Sequence, residues 1–136
     1  MKHYPRTTLY MAAFLRRKWA PCRAWPVPSL LAWLQWFIDH NRYLLVMDGR
    51  RIAAVGLYRR LSDPRQLQAT YADTNGPIVY IDVLASRGGK ALKGCFNLLL
   101  RKEAKTATHI SWVRGKCHDR FSMFPIARAA SHLILT

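Results

Sequence analysis

The stretch IVYIDVLASRGGKALKG, residues 78–94, decides the fold. It opens as a near-continuous apolar run, Ile78 to Leu84, interrupted by a single acid, Asp82. Such a run reads as a strand buried on both faces. A small-residue turn, Ser86-Arg87-Gly88-Gly89-Lys90-Ala91, follows. Helical spacing then extends from about 89 to 105, with Ala91, Leu92, Cys95, Leu98, Leu99 and Lys102 on the inner side. Residues 108–114, THISWVR, read as the next strand. Strand, helix and strand in this order make a right-handed βαβ crossover with parallel neighbours. An ionised aspartate in a dry strand costs several kcal/mol unless it is paired or wet. Asp82 is therefore either a catalytic acid or a structural one that caps the turn or pairs with an arginine.

Working outward, YLLVMDGRRIAAVGLYRRL, residues 43–61, reads as a β-hairpin with its tight turn at Asp48-Gly49. Residues 61–76 are polar, carry Pro64 and Gly76, and read as a long loop of the kind that is often functional. Upstream, residues 7–19 read as a first helix with Leu9, Ala13 and Arg16 on one side. The proline-rich segment 20–28 reads as a loop, and Ser29 as the N-cap of a helix over 30–40. Leu30, Trp33, Leu34, Phe37 and Ile38 make its buried stripe, with Trp36 partly exposed. The last twenty residues read as holding another helix from about Pro125. The expected architecture is α+β: a mixed sheet with N-terminal helices, a β-hairpin and a βαβ crossover, in one domain over residues 1–136.

The charge is extreme: 22 Lys and Arg against 7 Asp and Glu, net +15. It points to a polyanionic partner, either nucleic acid, an anionic membrane surface or an acidic protein. The cations fall in small groups, Arg16-Arg17-Lys18, Arg50-Arg51, Arg59-Arg60, Arg101-Lys102 and Arg114 with Lys116, and no basic tail stands apart from the fold; a merely solvated basic surface is the plain alternative. With so few acids, and none paired at a motif spacing, a glycosidase or a two-carboxylate metal site is excluded. Cys22, Cys95 and Cys117 have neither metal-ligand spacing nor an even count, which suits a reducing compartment. The apolar runs are too short to span a bilayer, and no cleavable leader is legible. A cytoplasmic chain with no membrane span and no bound metal is expected.

The glycine turn opens a helix, so it offers free N–H groups and the positive end of a dipole. Arg87 and Lys90 add charge. The turn lacks both the GK[ST] ending of the Walker loop and the GxGxxG of dinucleotide folds. A plain strand-to-helix connection and a phosphate site both remain open from these residues alone.

The order of elements resembles the GNAT N-acyltransferase fold. In that family the turn after the central strand carries an (Arg/Gln)-x-x-Gly-x-(Gly/Ala) signature whose amides bind the pyrophosphate of acyl-CoA. Gly89-Lys90-Ala91 matches its second half, and Ser86 stands where Arg or Gln is expected. The resemblance thus implies a donor site at Arg87, Gly88, Gly89, Lys90 and Ala91. Two further segments resemble the toxin-activating lysine acyltransferases, which take a fatty acyl chain from acyl carrier protein. One is APCRAWPVPSLLAWLQWFIDHNRYLLVMDGRRIAAVGLYRRLSD, residues 20–63, and the other is VYIDVLASRGG, residues 79–89. This likeness implies a catalytic aspartate at Asp82, a lysine acceptor and an acidic carrier protein as partner. It places Cys22, ahead of Arg23 and Trp25-Pro26-Val27, where the family has its catalytic histidine.

Acylating a lysine needs a base for the ammonium and something to polarise the thioester. A half-buried Asp82 with a raised pKa would serve as the base. Cys22 would attack the thioester if Arg23 lowered its pKa, and is otherwise a buried inert thiol. His109, on the fourth strand, or His118 would supply the missing imidazole. Asp82 is expected in a cleft between the third and fourth strands, within reach of Cys22 or a histidine. The acyl-carrier reading gathers cations near Arg23, Arg87, Lys90 and Lys93. Two alternatives stand beside it: a basic nucleic-acid-binding protein, with Trp33, Trp36, Tyr58, Tyr71 and Trp112 to stack bases, and a catalytically inactive GNAT-like scaffold.

Overall fold

The computed structural model describes residues 3–63, 73, 75–113 and 121–126. Along the chain run α1 (Arg6–Lys18), a 3₁₀ turn (Ala20–Cys22), α2 (Val27–Asp39), β1 (Tyr43–Asp48), β2 (Arg51–Leu61), β3 (Ile78–Ser86), α3 (Gly89–Glu103), β4 (His109–Val113) and β5 (Phe121–Pro125). The strands form one mixed sheet in the order β1-β2-β3-β4-β5. Pairing is antiparallel for β1–β2, parallel for β3–β4 and antiparallel for β4–β5. The hairpin and the βαβ crossover expected from the sequence are both present.

The chain divides into two compact units, Met1–Leu57 with Val83–Cys95, and Tyr58–Asp82 with Phe96–Thr136. In the first unit, α1 and α2 supply most of the core. Met11, Phe14, Leu15, Leu30, Leu34 and Phe37 are all at most 1% exposed. The buried stripe of α1 is Thr8, Met11, Ala12 and Leu15 with Phe14. The sequence reading placed Leu9 and Ala13 inward, but Leu9 is 45% exposed. The difference is one of helical phase, because a short helix with apolar residues on several sides leaves the inward face to its neighbour. Thr8 settles that face here, since its hydroxyl meets Gln35 Oε1 of α2 at 2.6 Å.

Helix α2 starts at Val27, ahead of the Ser29 cap expected from the sequence, with Pro28 in its first turn. A proline costs nothing there, because first-turn N–H groups have no intrahelical acceptor. Trp25 precedes the helix and packs edge-on against Trp19 and Trp33, which stack on each other at 5.6 Å and 3°. The hairpin closes through Asp48 opposite Arg51. Gly49 takes φ 61°, which suits the first central position of a two-residue primed turn.

In the second unit the core is Tyr58, Leu61, Ile78, Val79, Leu99, Ala107, Ile110 and Ile126. Gly76 is required by close approach, since a Cβ there would lie 2.4 Å from the Leu61 carbonyl. Lys102 is exposed rather than inward, with its ammonium 5.6 Å over the Tyr58 ring. Phe121–Pro125, read from the sequence as leading into a helix, is a strand paired to β4. A short Phe- and Pro-containing segment carries no decisive period, so strand formation there rests on the waiting edge of β4. Residues 64–72 and 74 of the 61–76 loop, and the helix expected from Pro125 beyond Ile126, lie outside the described residues.

Candidate active site

Asp82 lies on β3, two residues past the last pair that β3 makes with β4, Tyr80 with Ser111. Strand β3 continues to Ser86. Beyond Tyr80, β3 makes no pair with β4 among the described residues. The carboxylate is gripped by Arg59 of β2 through two hydrogen bonds. Nε donates to Oδ2 at 2.9 Å and Nη2 to Oδ1 at 2.8 Å. The side chains are 3% and 11% exposed for Arg59 and Asp82. Burial pushes the Asp82 pKa up to about 6, outweighing the hydrogen bonds and the charge of Arg59, which lower it. The guanidinium carbon of Arg59 also sits 5.6 Å over the ring of Tyr80. The Tyr80 hydroxyl is pushed up to about 12, first by burial and then by the Asp82 charge.

The next residue of β2 does the same on the other face, because strand side chains alternate. Arg60 Nη1 donates to Glu103 Oε2 and to the Thr106 hydroxyl, both at 2.9 Å, and Nε donates to the Gly76 carbonyl at 2.7 Å. The Tyr58 hydroxyl donates to the other Glu103 oxygen at 3.3 Å. Arg60 and Glu103 are 4% and 9% exposed. The pair Arg59-Arg60, counted from the sequence among the surface cations open to a polyanionic partner, is thus buried and paired with two carboxylates. It adds little to any polyanion-binding face. The missed signal was local: the apolar run of β2 continues through both arginines to Leu61, so each must find an acid.

Cys22 lies in the first unit, whereas Asp82 lies in the second. It is fully buried, and its Sγ donates to the Trp19 carbonyl at 3.3 Å. Burial raises its pKa, and the charges of Arg16 and Arg23 offset this only in part. That direction is opposite to the lowering a thioester nucleophile needs. Arg23 itself donates to the carbonyls of Arg16 and Arg17, at 3.1 and 3.0 Å. It closes the C-terminal end of α1, where carbonyls lack intrahelical partners. Arg16 likewise donates to the Trp25 carbonyl. In native protein at pH 8, Cys22 is therefore expected to resist iodoacetamide, and peptide mapping by mass spectrometry checks it. Rapid labelling of Cys22 would restore the reactive-thiol reading.

His109 pairs in register with Ile78. Asp82 is four steps along β3 from Ile78, about 13 Å on the strand. The His109 ring meets the neighbouring Thr108 hydroxyl at 2.9 Å. Cys117 and His118 lie outside the described residues.

The glycine turn is open. Arg87, Gly88, Gly89 and Lys90 are all exposed. A Cβ at Gly88 or Gly89 would meet nothing within 4 Å, and neither glycine has positive φ. Neither backbone strain nor crowding demands glycine here, and the space beside these amides is free for a ligand. Arg87 N donates to the Ala53 carbonyl at 2.8 Å, which ties the turn to β2. The first helical bond of α3 runs from Leu92 N to the Gly88 carbonyl, so the N–H groups ahead of Leu92 face outward from the helix end. Among the described residues no cluster could hold a metal ion, and no helix is long and apolar enough to cross a membrane.

The fold has counterparts among solved structures. AAC(6')-Iy, in complex with the bisubstrate analogue CoA-S-monomethyl-acetylneamine, superposes with a TM-score of 0.62 at 10% identity, over 98% of this chain and 86% of that one. The GNAT-like decarboxylase GphF, in complex with isobutyryl-CoA, superposes with a TM-score of 0.56 at 18% identity, over 95% of this chain and 69% of that one. The chain therefore has a GNAT-like α+β fold. No family model and no curated protein matches its sequence.

Proposed function

We propose that this chain is a GNAT-like acyltransferase that moves an acyl group from a thioester donor, acyl-CoA or acyl carrier protein, to an amine, a protein lysine. One observation carries the reading. Asp82, a carboxylate lifted to about 6, sits where the β3–β4 ladder ends, on the strand that leads into an open glycine turn. Both compared structures hold CoA-based ligands, which favours acyl-CoA. The net charge of +15 favours an acidic carrier protein.

In this mechanism the amides of Gly89, Lys90 and Ala91 hold the donor's phosphates, with Arg87 and Lys90 adding charge. A carboxylate has lone pairs beyond the two that Arg59 engages. Asp82 uses one to take the proton of the attacking ammonium. The free amine adds to the thioester carbonyl, the adduct gives its second N–H proton to solvent, and the tetrahedral intermediate expels the thiolate. An amide forms, the C–S bond breaks, and the thiolate leaves as thiol with the proton that Asp82 took. Backbone N–H groups of β3 past Tyr80, outside the β3–β4 ladder among the described residues, polarise the carbonyl. Direct attack of this kind needs neither the Cys22 thiol nor the His109 ring.

The test is mass spectrometry of lysine-containing protein substrates incubated with acyl-CoA or with acyl carrier protein. A product heavier by the acyl group, from either donor, is expected. Neither transfer nor binding with any acyl-thioester would overturn the reading and favour the inactive scaffold.

A further inference from the structure

On the first unit, α1 and the β1–β2 turn border a groove of about 220 Å³ lined by Tyr10, Arg17, Arg50, Arg51, Ile52 and Arg87 among others. Four guanidinium groups line it and no carboxylate does. None of the four has an ion-pair partner among the described residues. Asp48, opposite Arg51 in the hairpin ladder, makes no ion pair with it. Like charges gathered on one volume repel, and an anion placed there removes the repulsion. The cations stand on fixed elements: Arg17 on α1, Arg50 and Arg51 at the hairpin turn, and Arg87 on a backbone bonded to Ala53.

A second hollow of about 150 Å³ shares Tyr10, Arg50 and Ile52, and adds Leu45 and Met47. Tyr10 is 63% exposed and Met47 48%. Among the described residues Tyr10 packs against no other ring. A cationic end and an aromatic, apolar end thus adjoin through shared residues. Guanidinium forks match phosphate oxygens, and an exposed tyrosine ring stacks on a base.

We propose that this groove binds a nucleoside phosphate, with its phosphates on Arg17, Arg50, Arg51 and Arg87 and its base on Tyr10. The site does not include Asp82, and it shares only Arg87 with the proposed donor turn. It would therefore exist in a chain that transfers nothing.

Calorimetric titration at physiological salt tests it, with ADP and inorganic pyrophosphate as probes. ADP is expected to bind, and the Arg50→Ala/Arg51→Ala double variant to weaken it about tenfold or more. Arg101→Ala/Lys105→Ala removes the same charge elsewhere and is expected to change little. Tyr10→Ala is expected to weaken ADP and leave pyrophosphate unchanged. Equal losses from the two double variants would overturn the proposal in favour of diffuse charge. Equal affinity for ADP and pyrophosphate, with Tyr10→Ala silent, would overturn the base contact. Arginine-dependent sedimentation with phosphatidylglycerol vesicles by a protein that ignores ADP would assign the groove to a lipid surface instead. Acyl transfer is read separately by product mass. No ADP binding with transfer intact sinks this groove and leaves the acyltransferase reading standing.

Discussion

Replacing Asp82 with Asn is expected to lower acyl transfer by about a hundredfold to ten-thousandfold, the usual range for loss of a positioned general base. It is also expected to lower stability. The substitution breaks one side of the bidentate grip between Arg59, which is 3% exposed, and the carboxylate. Asparagine keeps one acceptor for Arg59 and turns an NH2 toward its other N–H, so one buried hydrogen bond is lost at a cost of about 1–3 kcal/mol. The two losses are separable by pH. The folded pKa of Asp82 is raised to about 6, so its contribution to stability is fully present below the ordinary aspartate range and is lost as pH rises through about 6. A base works in the opposite sense: transfer should fall as pH drops below about 6. On acidification, activity falls while this group's contribution to stability rises, so unfolding of the pair cannot account for the lost activity. A transfer rate that stays flat between pH 5 and 7, together with a folded Asp82→Asn variant of normal rate, would leave Asp82 a purely structural acid.

Glu103→Gln is expected to be the most destabilising single change on the other face of β2. Glutamine keeps the shape and an acceptor for Tyr58, but it removes the charge of the carboxylate that Arg60, 4% exposed, meets at 2.9 Å. Breaking such a buried pair from one side costs about 3–5 kcal/mol. For a chain of this length that lowers the melting temperature by roughly 10–20 °C. The double variant Arg60→Met/Glu103→Met removes both charges and is expected to recover most of the loss, because apolar side chains replace a buried pair at little cost. Thermal and urea unfolding of the three proteins measures this. A loss below about 1 kcal/mol for Glu103→Gln would mean that water reaches the pair.

The two predictions concern neighbouring residues that the sequence presented as one basic group. Counting cations treats Arg59-Arg60 like Arg50-Arg51, and the structure separates them. Strand alternation sends Arg59 and Arg60 to opposite faces, each toward a carboxylate distant in the chain. Arg50 and Arg51 sit at a hairpin turn, where nothing covers them, and they line a groove instead.

Local pattern determined the order of elements by itself. The Asp48-Gly49 turn, the apolar run at Ile78–Leu84 and the glycines opening α3 each carry their geometry in a few adjacent residues, because turn chemistry and side-chain period act over short range. The GNAT-like topology followed from that order and from the handedness of the crossover. Tertiary structure decided what adjacent residues do not encode. It chose the inward face of α1, made a strand of Phe121–Pro125 on the edge of β4, and kept the Cys22 thiol buried with a raised pKa. It also joined Asp82 to Arg59 across 23 positions of sequence. The physical reason is the same in each case: burial and pairing depend on which distant surfaces meet, and a pKa or an ion pair is a property of that meeting.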